Sequence, residues 1–237
     1  MPRWWILVVI LMSFVFGSAA MGAPSDRPRR LEIWDLQLGT QVDQLPDEFV
    51  DYACGTNGGP PSTPLTSWRD VRRCRPEPNG LREVYFRYDD EIEFWAKANN
   101  LAPQMQQYFG TKTYDFPVVV SALFDEGRTL RGIRLVSDPR GDSHNREEAY
   151  LLRNFLTARF GRDGWACENL PAEEGETPVA GIFFKDRCHK MLDGKTKASL
   201  ATRHLRKAGQ SQFDRQSGRE TTGQFESAVR FELIRER

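Results

Sequence analysis

Val118-Val119-Val120-Ser121-Ala122-Leu123-Phe124, then Asp125-Glu126-Gly127-Arg128, then Thr129 and the run Leu130 to Val136 decide the fold class. Two apolar, β-branched-rich runs joined by a short Gly-containing loop spell an antiparallel hairpin. Upstream of it, Val84, Phe86, Tyr88, Ile92 and Phe94 fall on one face of a period-two pattern. Tyr85, Arg87, Asp89, Glu91, Glu93 and Trp95 take the other face, as a half-buried strand requires. From Asp89 onward a helix is also open, because Ile92, Trp95 and Ala96 share a helical face. Downstream, Asn145 and Glu148 are spaced as a capping box, followed by the stripe Ala149, Leu152, Phe155, Leu156 and Phe160 and closed by Gly161. Val179 to Phe184 reads as a strand, and Val229, Phe231 and Leu233, alternating with Arg230, Glu232 and Ile234, as a C-terminal one. Near the start, Thr40 caps a predicted helix over Gln41–Leu45, and Pro46 opens a second one reaching about Tyr52. The expectation is an α+β protein, an antiparallel sheet with helices packed on one face.

Cysteine spacing adds a second layer. Cys54 and Cys74 lie 20 residues apart, and Cys167 and Cys188 lie 21 apart. An aromatic residue and Ala precede each first cysteine (Tyr52-Ala53 and Trp165-Ala166). A run of aromatic and charged residues precedes each second one, Trp68 to Arg73 and Phe183 to Arg187. This match predicts a tandem duplication, residues 24–140 and 141–237, with one disulfide in each unit. The preferred pairing is 54–74 and 167–188; four cysteines allow three pairings. Zinc is disfavoured, since neither pair has C-x2-C spacing and only His189 adjoins a cysteine.

Asp35-Leu36-Gln37-Leu38-Gly39-Thr40 leading into a short helix, together with the hairpin from Ser121 to Ile133, carries a resemblance by organisation. Tandem units of helix plus antiparallel sheet, each with one disulfide, resemble the β-lactamase-inhibitor-protein-like fold. That fold is shared with the small outer-membrane-assembly lipoproteins of the SmpA/OmlA type. Gly39-Thr40 meets only part of the family's G-M-[ST] opening, the second unit lacks it, and the lipidated cysteine is absent. The resemblance implies a non-catalytic module that binds other proteins across its sheet.

Composition and the N-terminal stretch bear on compartment. Arg3, the apolar run Trp4 to Phe16 and the small residues up to Ala23 have the form of a signal peptide over residues 1–23, cleaved after Ala20 or Ala23; the competing reading is an uncleaved anchor over the uncharged Trp4 to Ala23. The expected location is periplasmic or secreted, where disulfides persist, with no stable membrane span after cleavage. The chain carries 33 Lys+Arg against 33 Asp+Glu, a balance that argues against nucleic acid as partner. That neutrality sums unlike parts. Leu31 to Asp51 holds six acids and no base, and Lys185 to Lys207 holds eight bases against Asp186 and Asp193. Residues 189–224 are polar and poor in aromatics, and are expected to form an extended basic insertion. Its bases either contact something anionic or are simply solvated.

Motifs for chemistry are missing. The sequence has no G-x-S-x-G, H-E-x-x-H, C-x-x-C or G-x-G-x-x-G, and the glycine-rich Gly55 to Pro61 lacks the G-K-[ST] ending of a phosphate-binding loop. His144, His189 and His204 fall in polar surroundings and read as surface residues. Asp89, Glu91 and Glu93 read as a solvated face rather than a calcium site. No cofactor or metal is expected. Tyr85, Arg87 and Trp95 are candidate protein-binding residues, because these residue types dominate binding hot spots; the alternative is that they are covered. The functional expectation is an exported, non-catalytic binding protein acting on another envelope protein. The alternatives are an envelope hydrolase using a carboxylate pair, or a binder of an anionic ligand or metal ion.

Overall fold

The computed structural model describes residues 31–88, 96, 98–101, 111–140, 143–207, 211–213, 220–222 and 225–236. The expected signal peptide, Trp95, the acidic run Asp89 to Glu93 and the side chains of His144 and Asn145 lie outside the description. In chain order the strands are β1 (Val50–Cys54), β2 (Arg82–Arg87), β3 (Lys112–Thr113), β4 (Phe116–Phe124), β5 (Leu130–Ser137) and β6 (Ala166–Asn169). They continue with β7 (Phe184–Met191), β8 (Thr196–Arg206), β9 (Ser211–Phe213), β10 (Glu220–Thr222) and β11 (Phe225–Arg235). One antiparallel sheet runs β1-β2-β4-β5-β11-β8-β7-β6, with β3 beside β4; β9 and β10 form a separate ribbon. Among the described residues the helical elements are α1 (Ser143–Glu148), α2 (Leu152–Arg159) and short 3-10 turns. Leu31–Arg237 form one compact unit.

The hairpin falls where the sequence puts it. β4 and β5 pair from Val118↔Ser137 to Phe124↔Leu130, and Arg128 closes the turn with a φ of 62°. The Gly39-Thr40 stretch clamps its tip, Gly39 N–H donating to Leu130 O at 2.7 Å and Leu130 N–H to Thr40 O at 2.9 Å. Gly39 has a φ of +97°, a conformation that side chains rarely tolerate. The expected alternation in β2 also holds, with Val84, Phe86 and Tyr88 all buried in the main core.

That core lies on one face of the sheet and has two aromatic centres. Under the first strands, Trp68 packs edge-on against Phe49, Tyr52 and Phe86 at centroid distances of 5.8, 4.8 and 4.9 Å. Its indole N–H donates to Pro46 O at 2.8 Å, so burial leaves no polar atom stranded. Beneath β11, Phe231 stacks on Phe160 at 5.0 Å and meets Trp34 edge-on at 6.1 Å. Leu152 and Leu156 of α2 complete this centre. Phe155, expected in the buried stripe, is instead 46% exposed and stacks on Tyr114 at 5.3 Å.

Three expectations need correction. The second N-terminal helix is strand β1. Asp51 has a φ of 56° and the β1–β2 register shifts between Val50 and Ala53, so Phe49 and Tyr52 both reach the core although three residues apart. A bulge thus imitates a helical period. Val179 to Phe184 is mostly a tight reversal, with Ala180 and Gly181 at φ of 48° and 82°, and the strand begins at Phe184. The supposed insertion over 189–224 supplies the end of β7 and the whole of β8, an interior strand that pairs with β11 from Phe225↔Arg206 to Arg235↔Thr196. Its buried face is Thr196, Ala198, Leu200, Thr202 and His204, too polar to stand out by hydrophobicity. Asp193-Gly194 marked the preceding turn, with Asp193 Oδ1 accepting from Lys195 and Thr196 N–H at 3.0 and 2.6 Å.

Both expected disulfides are formed. Cys54–Cys74 ties β1 to the segment before β2, and Cys167–Cys188 joins directly opposed residues of β6 and β7.

Candidate functional site

The described helices and both aromatic centres lie on one face of the sheet, which leaves the other as the candidate binding surface. Strand registers place the side chains of that outer face in rows. One row reads Ala166, His189, Ser199, Glu232, Arg134, Ser121, Tyr85, Ala53, from β6 through to β1. The adjacent row begins Glu168, Arg187, Ala201, Arg230, Val136, Val119.

Over β1, β2, β4 and β5 the chain covers this face itself. The Gly55-to-Gly59 turn lies flat on it: Asn57 N–H donates to Glu83 Oε2, and Gly58 N–H donates to Glu83 Oε1 at 3.0 Å. Gly58 has a φ of +79°, and a Cβ there would sit 2.5 Å from Val136 Cγ2. The glycine run is therefore a lid that approaches the sheet closer than any side chain allows. Tyr85, 9% exposed, packs against Ala53 and Val119. Burial raises the pKa of its phenol, partly offset by Arg140. Arg87, 6% exposed, donates from Nε to Asp51 Oδ2 at 2.8 Å. Two of the three candidate binding residues are thus buried rather than presented, because sequence alternation separates the faces but does not tell which face a loop will cover.

A buried charge cluster marks the edge of this covered region. Arg134, 2% exposed, donates to Glu77 at 2.5 and 3.0 Å and to Glu232 at 2.6 Å, and lies 3.0 Å from Glu83. Burial by itself raises the Glu77 pKa, but hydrogen bonds and charge from Arg134 outweigh it and hold the carboxyl below its ordinary value. Arg230 bridges onward, donating to Glu232 Oε1 at 2.6 Å, to Asn57 O at 2.8 Å and to Asn57 Oδ1 at 2.6 Å. The lid of the first strands is thereby tied to β11.

Beyond Arg230 the same face opens. A cleft of about 580 Å³ is lined wholly by β6, β7, β8 and β11. Ser199 and Ala201 form its low floor along β8; Arg187 and His189 rise from β7 on one side, Arg230 and Glu232 from β11 on the other, and Lys197 stands at one end. Arg187 and His189 are exposed, while Lys197, Ser199 and Ala201 are half-buried. The sequence does not reveal this trough, because residues 189–224 read there as an insertion. The signal that could have found it is the alternation Lys197-Ala198-Ser199-Leu200-Ala201 following the Asp193-Gly194 turn.

Of the eight bases of Lys185 to Lys207, four are held by the chain itself. Lys185 reaches Glu173 and Glu176 at 2.7 and 2.8 Å, and Arg203 and Lys207 share Glu226 at 3.1 and 2.7 Å. Lys190 Nζ donates to the carbonyls of Phe160, Gly161 and Asp163 at 2.7, 3.0 and 2.7 Å, capping the C-terminal end of α2. Arg187 and Lys197 make no ion pair among the described residues.

His204 departs from expectation. It is 5% exposed, packed 4.2 Å from Tyr150 and 5.7 Å from Phe225, and its Nδ1 has no partner. Burial holds its pKa below the ordinary 6.5.

A second cleft, about 570 Å³, borders β1; its carboxylates Asp47 and Asp51 are each held by an arginine, Arg69 at 2.9 Å and Arg87 at 2.8 Å. Among the described residues no group of His, Cys, Asp and Glu is arranged to hold a metal ion, and no helix is long and apolar enough to cross a membrane. No family model, curated protein or solved structure matches this chain.

Proposed function

We propose that the chain is an exported, non-catalytic binding protein, periplasmic or secreted, that holds another envelope protein against the open part of its outer sheet face. The observation that carries this reading is the asymmetry of that face. The first strands bury theirs under the Gly55-to-Gly59 turn, whereas β7, β8 and β11 leave a trough with a small-residue floor and long polar walls. A concave part of the sheet left bare beside one that the chain covers itself is a reason to look for an external cover. Two disulfides fit an oxidising compartment.

Strand order supports the finer parts of the reading, tandem units and likeness to the β-lactamase-inhibitor-protein-like fold. β1-β2-β4-β5 and β6-β7-β8-β11 are both antiparallel arrays with the disulfide-bearing strand outermost and the last strand at the shared seam. Short helical turns precede the first array, and α1 and α2 precede the second.

An envelope hydrolase has less in its favour. Glu77, Glu83 and Glu232 converge on Arg134, and Glu77 is held ionised, whereas a general acid needs its pKa raised.

The test is affinity capture from the envelope fraction of the producing cells, comparing the wild type with Ser199→Trp, which fills the trough. Wild type is expected to recover one stoichiometric protein partner, and Ser199→Trp, with an unchanged melting temperature, to lose it. No specific partner, or equal recovery by the variant, would reject the reading.

A further inference from the structure

We infer that the partner is an acidic protein surface, one that sets carboxylate side chains into the trough over Ser199 and Ala201. This deepens the binding reading above and rests on it. The argument is one of charge complementarity. Ala201 lies between Arg187 on β7 and Arg230 on β11 in a single row. Strands in a sheet stand about 4.8 Å apart, so the two arginine Cα atoms flank the small residue at about 10 Å. The Arg187 guanidinium, beside a methyl-group floor, can close on an oxyanion without a clash from below, while Arg230, held by Asn57 and Glu232, adds positive charge from the opposite wall. Lys197 supplies a third cation at the end of the floor.

The protein's own acids do not satisfy this trough. Glu232 is already taken by Arg134 and Arg230 at 2.6 Å each. Glu168, directly across from Arg187 in the β6–β7 register, lines the β6 side of the same cleft but makes no ion pair with Arg187 among the described residues. Arg230 keeps a third of its side chain exposed even with Asn57 and Glu232 bound. Two uncommitted cations and one partly open arginine therefore face a cavity large enough for several side chains. At such a partly desolvated site a charge-assisted hydrogen bond is stronger than at an open surface, and an uncharged partner would leave the cations buried without compensation.

The experiment uses the full chain, first with a decaglutamate peptide as probe and then with the captured partner. Decaglutamate is expected to shift the backbone amide resonances of Arg187, Ser199, Ala201 and Arg230 in a saturable way, and decaglutamine to shift none. Arg187→Glu/Lys197→Glu should weaken both decaglutamate and partner at least tenfold, and the milder Arg187→Gln/Lys197→Gln by about threefold or more, with melting temperatures kept. Ala201→Trp, which leaves every charge in place, should also abolish the shifts. If wild type and the charge-reversed variant recover the partner equally, the acidic partner is overturned while the binding reading survives. Phosphatidylglycerol vesicles that sediment the protein, where decaglutamate gives no shift, would overturn it in favour of a lipid surface. Loss of capture in Ser199→Trp alone separates failure of the site from failure of the charge argument.

Discussion

Arg134 is the residue on which the two parts of the outer face meet. With three carboxylates around one buried guanidinium, replacing it strands negative charge rather than merely deleting contacts. Arg134→Met is expected to cost about 3–5 kcal/mol, read from urea unfolding. Gly58→Ala should cost about 1–3 kcal/mol, since it forces a positive φ on alanine and drives a methyl into Val136. Acid should weaken the fold in two windows. For His204 the folded pKa is lowered, so the unfolded chain takes the proton first and stability declines as pH falls below about 6.5. Glu77 is also lowered, so its contribution is whole above the unfolded value near 4.5 and is lost as pH falls through the lower folded value. His204→Phe should abolish the upper window in a pH series of melting temperatures and leave the lower one. None of these partnerships was legible in the sequence. Arg134, Glu77, Glu83 and Glu232 are scattered over more than 150 positions, and only the sheet registers bring them together.

At the scale of elements, legibility followed the strength of the apolar pattern. The β4–β5 hairpin, the buried face of β2 and the strand β11 carry large residues at alternate positions and read directly. β8 carries Thr196, Ala198, Thr202 and His204 on its buried face, so its period was masked by polarity and its bases suggested solvent. In β1 the bulge shifts the period from two to three, so the strand imitates a helix. The reassignment of residues 189–224 has a sharp consequence. Replacing them by a short Gly-Ser linker would be tolerated by an insertion, but here it removes the strand that joins β7 to β11, and is expected to abolish cooperative unfolding by calorimetry. The disulfides should also differ. Cys54 and Cys74 are 5% and 3% exposed, whereas Cys167 is exposed on an outermost strand. Under graded dithiothreitol with maleimide labelling, peptides containing Cys167 and Cys188 should label first. Loss of either bond is expected to cost about 3 kcal/mol by loop entropy.

For the whole molecule, the cysteine pairs and the alternation pointed to a stapled antiparallel sheet, and that much was readable. Which face would stay open was not, because it depends on a glycine-rich turn folding over one set of strands and not the other. The candidate residues Tyr85 and Arg87 lie on the outer face but on its covered part. The central claim is that the protein binds through β7, β8 and β11 on the side away from the helices. The most direct measurement is photo-cross-linking in the producing cells, with p-benzoylphenylalanine placed at Ser199 in the trough or at Ala158, exposed on α2. A discrete adduct with a single protein is expected from Ser199 and none from Ala158. An adduct from Ala158 with none from Ser199 would contradict the account.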